Sequence, residues 1–238
     1  VVQVDKLNQG FTKFLRIPFG QGGMGAVAGL MPFWFLEGDA VDAETRLSLS
    51  GRGRLPSWEM ELKAMLADDR PRFTYEKAFM GSYKDYVPNH YKYGYQMVAH
   101  GRDRYGNGIW DSVVNYTAKK PFTIYPFYFG LRKYAESSKS GLYYETLSSL
   151  SEHWEKQAAS RIHTESVPVN NTKKKHHTHY RFGKYLQDGS VFAEKSGIDQ
   201  INEFVIIDSN GVETRIHRPG FYDAANISVS GGIVAWTE

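Results

Sequence analysis

The chain has 238 residues, 41% hydrophobic and 23% charged, which is enough apolar material for one large or two small domains and excludes an intrinsically disordered chain. Its 29 Lys and Arg against 26 Asp and Glu leave a net charge of +3, spread along the sequence, which argues against a nucleic-acid partner; no run approaches the roughly 18 apolar residues of a membrane span. With no cysteine there is neither a disulfide framework nor a thiolate metal site, so any metal must be held by His, Asp or Glu.

From Val1 to about Ala159 apolar residues recur at three- and four-residue steps, as in Leu36, Ala40, Ala43 and Leu47, or Leu142, Thr146, Leu147 and Leu150. This spacing predicts helices over Val4–Leu15, Met31–Leu47, Ser57–Ala67, Asn89–Tyr105, Gly108–Lys119, Tyr125–Glu136 and Leu142–Ser160. Gly20 to Gly29 holds five glycines among ten residues and reads as a loop. Asn89 and Asn107 stand where N-caps belong, and Gly106 where the preceding helix should stop. Ser160 to His179, polar and rich in Lys, His and Asn, reads as a linker in which His176, His177 and His179 belong to a solvated stretch.

Beyond Tyr180 the pattern is β. Gln187-Asp188-Gly189, Ser209-Asn210-Gly211 and Ser230-Gly231-Gly232 separate short runs rich in Val, Ile, Phe and Tyr, as hairpin turns do. The apolar, polar, turn, Gly, strand pattern around Gly189 returns around Gly232, 43 residues later, near the length of one four-stranded propeller blade. The expectation is one blade and the start of a second, with a fragment of an antiparallel sandwich as the alternative. The whole is read as α+β: a mostly helical lobe over 1–159, a linker over 160–179 and an antiparallel β segment over 180–238.

Pro32-Phe33-Trp34-Phe35-Leu36-Glu37-Gly38-Asp39-Ala40-Val41-Asp42-Ala43-Glu44 is the most informative segment. On a helix Glu37, Val41 and Glu44 share one face, setting two carboxylates on a stripe flanked by bulky apolar residues. The segment resembles the Trp-x-x-Glu-Gly-x-Ala signature of the gluzincin zinc peptidases, the thermolysin- and aminopeptidase-like group. That resemblance implies Glu37 as a zinc ligand and Glu44 as a residue orienting a metal-bound histidine. Downstream, Tyr91-Lys92-Tyr93-Gly94, continued through Arg104-Tyr105-Gly106 and Trp110, is similar to the family's Tyr-x-x-Gly helix and implies Tyr91 as the hydrogen-bond donor to an oxyanion. Tyr93 and Tyr95 are expected to pack the core instead.

One departure bears on activity, because no His-Glu-x-x-His occurs in these 238 residues. Without it two zinc ligands and the general base are missing, and Val1-Val2-Gln3-Val4 reads as the continuation of just such a helix. The resemblance therefore implies a zinc-peptidase-like protein of the bacterial envelope acting on a peptide or protein, extracytoplasmic, inactive as this chain alone and complete only in a longer one. The competing reading is a non-catalytic scaffold or a glycan- or protein-binding module with envelope partners, which 16 Tyr and 5 Trp would suit. Gly20-Gln21-Gly22-Gly23-Met24-Gly25 has no preceding strand and no following Lys-Ser or Lys-Thr, so it is not read as a phosphate loop.

Overall fold

Burial of Trp34, Phe35 and Val41 organises the helical part of the chain. A computed structural model of the protein describes residues 6–68, 72–162, 164–170, 176–220 and 222–237. The fold is α+β, and the chain divides into two compact units, one of residues 1–81 with 87–161 and the other of residues 82–86 with 162–238. Val1-Val2-Gln3-Val4 and the first residues of the helix predicted from Val4 lie outside the described residues.

Among the described residues the first unit contains α1 (Gly10–Ala28), α2 (Phe33–Leu47), α3 (Pro56–Ala67), α4 (Tyr75–Met80), α5 (His90–Tyr105), α6 (Ile109–Lys119), α7 (Pro126–Ala135) and α8 (Lys139–Ala159), with a 3-10 turn at Arg52–Arg54. Caps explain several boundaries. Asn89 accepts from the Lys92 N–H and Ser138 from the Gly141 N–H, so α5 and α8 start at satisfied backbone donors. Gly106 closes α5 at φ 94°, a conformation that disfavours any residue with a Cβ.

Several helical features differ from the sequence expectation. The glycine-rich stretch is helical over residues 21–28, and only Gly20, at φ 55° and ψ −135°, breaks α1. Anchoring of Val27 in the core outweighs the poor helix propensity of the glycines around it. The N-cap of α6 is Gly108, not Asn107; the Asn107 carbonyl instead accepts from Arg102, which fixes the turn from α5. The short α4 was not foreseen, since six residues carry too little periodicity; Thr74 caps it and Gly81 ends it at φ 81°.

The core is a run of aromatic rings between α2, α5, α6 and α7. Trp34, Phe35, Trp110 and Phe127 meet at centroid distances of 4.8 to 6.2 Å. Their polar atoms are satisfied: Trp34 Nε1 donates to Tyr75 Oη at 2.8 Å and Trp110 Nε1 to the Val98 carbonyl at 2.9 Å. Tyr93, 2% exposed, packs in this core as expected.

α2 and α5 cross at two glycines. A Cβ on Gly94 would stand 2.1 Å from the Trp34 carbonyl oxygen, and one on Gly38 would stand 2.3 Å from the Gly94 carbonyl carbon. Beside the crossing, Arg102 donates to Asp39 at 2.6 Å and to Asp42 at 2.8 Å, and Arg46 donates to the other Asp42 oxygen at 2.9 Å. The Asp42 side chain is 3% exposed, so these partners keep a buried carboxylate satisfied; stranding such a charge costs about 3–5 kcal/mol, against about 0–1 kcal/mol for an exposed pair.

The second unit carries an antiparallel sheet in sequential order, β1 (Thr178–Tyr185), β2 (Val191–Gly197), β3 (Gln200–Ile207) and β4 (Glu213–His217), and a hairpin of β5 (Asn226–Ser230) and β6 (Ile233–Thr237). Gly189 at φ 83° turns β1 into β2, and Gly231 and Gly232 at φ 56° and 76° turn β5 into β6. The two turns 43 residues apart each close an antiparallel hairpin, β1–β2 and β5–β6, with the β2–β3 and β3–β4 pairings between them. The sheet is covered on both faces: Val191, Ala193, Val205 and Ile207 form one layer, and Phe192 and Phe204 join Val229 of the hairpin in the other. His177 and His179 are half-buried rather than solvated, because His177 stacks on Tyr86 at 4.1 Å and His179 meets the same ring edge-on at 5.6 Å. Residues 171–175 of the predicted linker lie outside the described residues.

Gly94→Ala should destabilise the first unit by about 1–3 kcal/mol, since the added methyl must push two backbones apart; an unchanged urea midpoint would contradict the crossing. Burial holds the Tyr93 and Tyr105 phenols up at about 12 and raises those of Tyr75 and Tyr143 as well. Unfolded tyrosines ionise near pH 10, so the stability these buried neutral phenols contribute is complete below about pH 10 and is lost as pH rises towards 12. A denaturation midpoint constant from pH 9 to about 12 would rule this out.

Candidate functional site

The glycine crossing decides where the motif side chains go. Glu37 precedes Gly38 on α2 and Tyr91 stands three residues before Gly94 on α5, so the contact that joins the helices brings these two side chains together. The Tyr91 phenol and the Glu37 carboxylate are close enough for the charge of one to act on the other. Partial burial raises the Tyr91 phenol pKa, the adjacent Glu37 carboxylate raises it further, and Arg52 opposes them.

Glu44 lies two turns along α2 from Glu37, and both are half-buried. Its carboxylate is engaged by Arg52: Oε1 accepts the Arg52 backbone N–H at 2.9 Å, and Oε2 accepts Nε at 2.9 Å with the guanidinium Nη2 also at 2.9 Å. This fork holds the Glu44 pKa below the usual carboxylate range. Thus fixed, the Arg52 guanidinium lies 5.7 Å from the centre of the Tyr91 ring and 5.4 Å from that of Trp58. The 3-10 turn that carries it can lie against α2 because Gly51 and Gly53 have no side chain; a Cβ on either would stand 2.3 to 2.4 Å from Thr45 or the Tyr95 ring.

Around this centre Lys92 binds Glu61 and lies 5.7 Å from the Trp58 ring, and Gln96 donates to Glu59 at 3.3 Å. His90 packs between Phe33 and Tyr91 at 4.7 and 4.6 Å. Trp58 Nε1 and His90 Nε2, both shielded from solvent, have no hydrogen-bond partner among the described residues.

The three residues singled out from the sequence therefore fall in one region, Glu37 beside Tyr91 and Glu44 connected to Tyr91 through Arg52. Sequence reasoning missed Arg52, Trp58 and His90. The alternation Gly51-Arg52-Gly53-Arg54 was an available signal for the first, since glycines on both sides of an arginine permit a turn pressed onto a neighbour. Nothing in the spacing pointed to the other two.

Chemically the site offers a carboxylate, a phenol that stays protonated at neutral pH, and a cation beside the phenol. Such a phenol can donate to a developing negative oxygen. As a metal set these residues are partial: no group of three or more His, Asp or Glu side chains able to hold a metal occurs among the described residues. No protein-family model, curated protein or solved structure matches the chain.

Replacing Glu37 by Gln should lower the Tyr91 pKa, and replacing Arg52 by Gln should raise it, because the first removes a charge that resists phenolate formation and the second removes one that favours it. Titration of Cζ-labelled tyrosine by NMR, with Tyr91→Phe to assign the resonance, reads both shifts. A Tyr91 resonance indifferent to Glu37→Gln would show that the two side chains do not meet in solution.

Proposed function

We propose that the helical unit carries part of a gluzincin-like zinc-peptidase centre, with Glu37 as a metal ligand and Tyr91 as the donor to the oxyanion of peptide hydrolysis. The supporting observation is the proximity of these two residues, which come from separate motifs and lie near enough beside the Gly38–Gly94 crossing for the Glu37 charge to act on the Tyr91 phenol. Zinc in such a centre polarises the scissile carbonyl and activates water.

In this reading Glu37 presents a carboxylate from a rigid helix, and Tyr91 keeps its proton and offers it as a hydrogen bond to the carbonyl oxygen as negative charge gathers there. Glu44 acts one layer back. It clamps Arg52, which lies against the Tyr91 ring and counters negative charge near the phenol. The sequence has no His-Glu-x-x-His to supply two imidazole ligands and a general base, so this chain alone is not expected to hydrolyse peptides. The β unit is read as one propeller blade followed by the start of another, supported by the repeated hairpin turn. The resemblance that motivates the reading also suggests an extracytoplasmic envelope protein.

Zinc content per chain of the full-length protein tests the ligand. Glu37→Gln should lose the metal. Tyr91→Phe should keep it while lowering kcat for a peptide by about 10²–10³, the usual cost of one oxyanion donor. Zinc unaltered by Glu37→Gln would overturn the ligand assignment and leave a scaffold or a glycan- or protein-binding module as the better account.

A further inference from the structure

We propose that the first unit docks onto anionic lipid bilayers through a basic, aromatic face formed by α1 and the segment joining α6 to α7. This is independent of the peptidase reading.

Residues 10–36 and 112–135 together hold six of the chain's 29 Lys and Arg and none of its 26 Asp and Glu, leaving an excess of acids elsewhere. The fold brings the two segments together. Thr12 Oγ1 donates to the Ala118 carbonyl at 2.9 Å, a Cβ on Gly10 would stand 2.7 Å from the Lys119 side chain, and the Phe11 ring meets Phe122 edge-on at 4.7 Å. Lys120 and, from α7, Lys133 lie 5.3 and 5.7 Å from the centre of the same Tyr116 ring, so cations distant in sequence gather beside this junction, with Asp111 and Glu136 the nearest acids along the chain. Lys13, Arg16, Lys119, Lys120, Arg132 and Lys133 are all exposed, and none pairs with an acid among the described residues.

Large apolar side chains stand between these cations instead of in the core. Phe14 is 70% exposed, Ile17 80%, Phe122 77% and Ile124 76%, with Phe19 and Tyr125 comparable. Phe11, Phe14 and Pro18 follow one another at three- and four-residue steps, so α1 turns an apolar stripe outward while Thr12 and Leu15 face the unit. Exposed apolar patches rimmed by charge mark contact surfaces.

Charge decides between occupants. A second copy would set one cationic rim against another, whereas an anionic bilayer offers headgroups to the lysines and arginines and an acyl boundary to the rings. No helix among the described residues is long and apolar enough to cross a membrane, so the contact is interfacial.

The test is sedimentation of the full chain with phosphatidylcholine vesicles containing or lacking phosphatidylglycerol. Binding should require phosphatidylglycerol and weaken with added salt. Lys13→Gln/Arg16→Gln should reduce partitioning by about 25-fold, about fivefold per basic residue, and Phe14→Ser/Ile17→Ser should reduce it at least tenfold with unchanged circular dichroism and melting. Absence of binding to phosphatidylglycerol vesicles, or undiminished binding by both variants, would overturn the proposal. So would a concentration-dependent dimer abolished by Phe14→Ser/Ile17→Ser without lipid binding, which would assign the face to a second copy.

Discussion

Two glycines with no space for a methyl group set the geometry of the helical unit. Because Gly38 and Gly94 lack Cβ atoms, the backbones of α2 and α5 approach until the Trp34 carbonyl touches Gly94. Everything near the crossing follows from that distance. Trp34 and Phe35 are driven into the ring cluster with Trp110 and Phe127, Asp39 and Asp42 come within reach of Arg102, and Glu37 comes within reach of Tyr91. One close contact serves packing, charge satisfaction and the candidate chemistry together, which couples the stability of the fold to the placement of the site.

The polar residues around the crossing separate by environment. Asp42, almost fully buried, is satisfied by two arginines and acts as structure. Glu44 and Arg52 are part-exposed, and the exposed pair contributes little to stability. Its consequence is positional: Arg52 is held at the face of Tyr91, where it modulates how readily that phenol gives up its proton. The β unit repeats the principle of local exceptions fixing long-range order, since the glycines at φ 83° and at φ 56° and 76° set the registers of two hairpins that share the layer of Phe192, Phe204 and Val229.

Most helices were legible because amphipathic spacing and caps agree with burial, as at α5 between Asn89 and Gly106. The misreadings share a cause. The glycine-rich half of α1 looked like a loop because local propensity was weighed without the anchoring of Val27, and α4 was too short to show a period. His177 and His179 looked solvated because the ring they pack on, Tyr86, lies about ninety residues earlier in the sequence.

The sequence by itself determined the α+β class and the identity of most helices and turns, because periodicity and capping are properties of neighbouring residues, while Glu37, Glu44 and Tyr91 were singled out only through a resemblance of their segments to a known motif. Only the tertiary structure decided that Glu37 and Tyr91 come close, that Glu44 is committed to Arg52, and that α1 packs on the end of α6 while the basic residues of both segments stay exposed. Those outcomes depend on which distant backbones can touch, and that is governed by where side chains are absent as much as by where they are present.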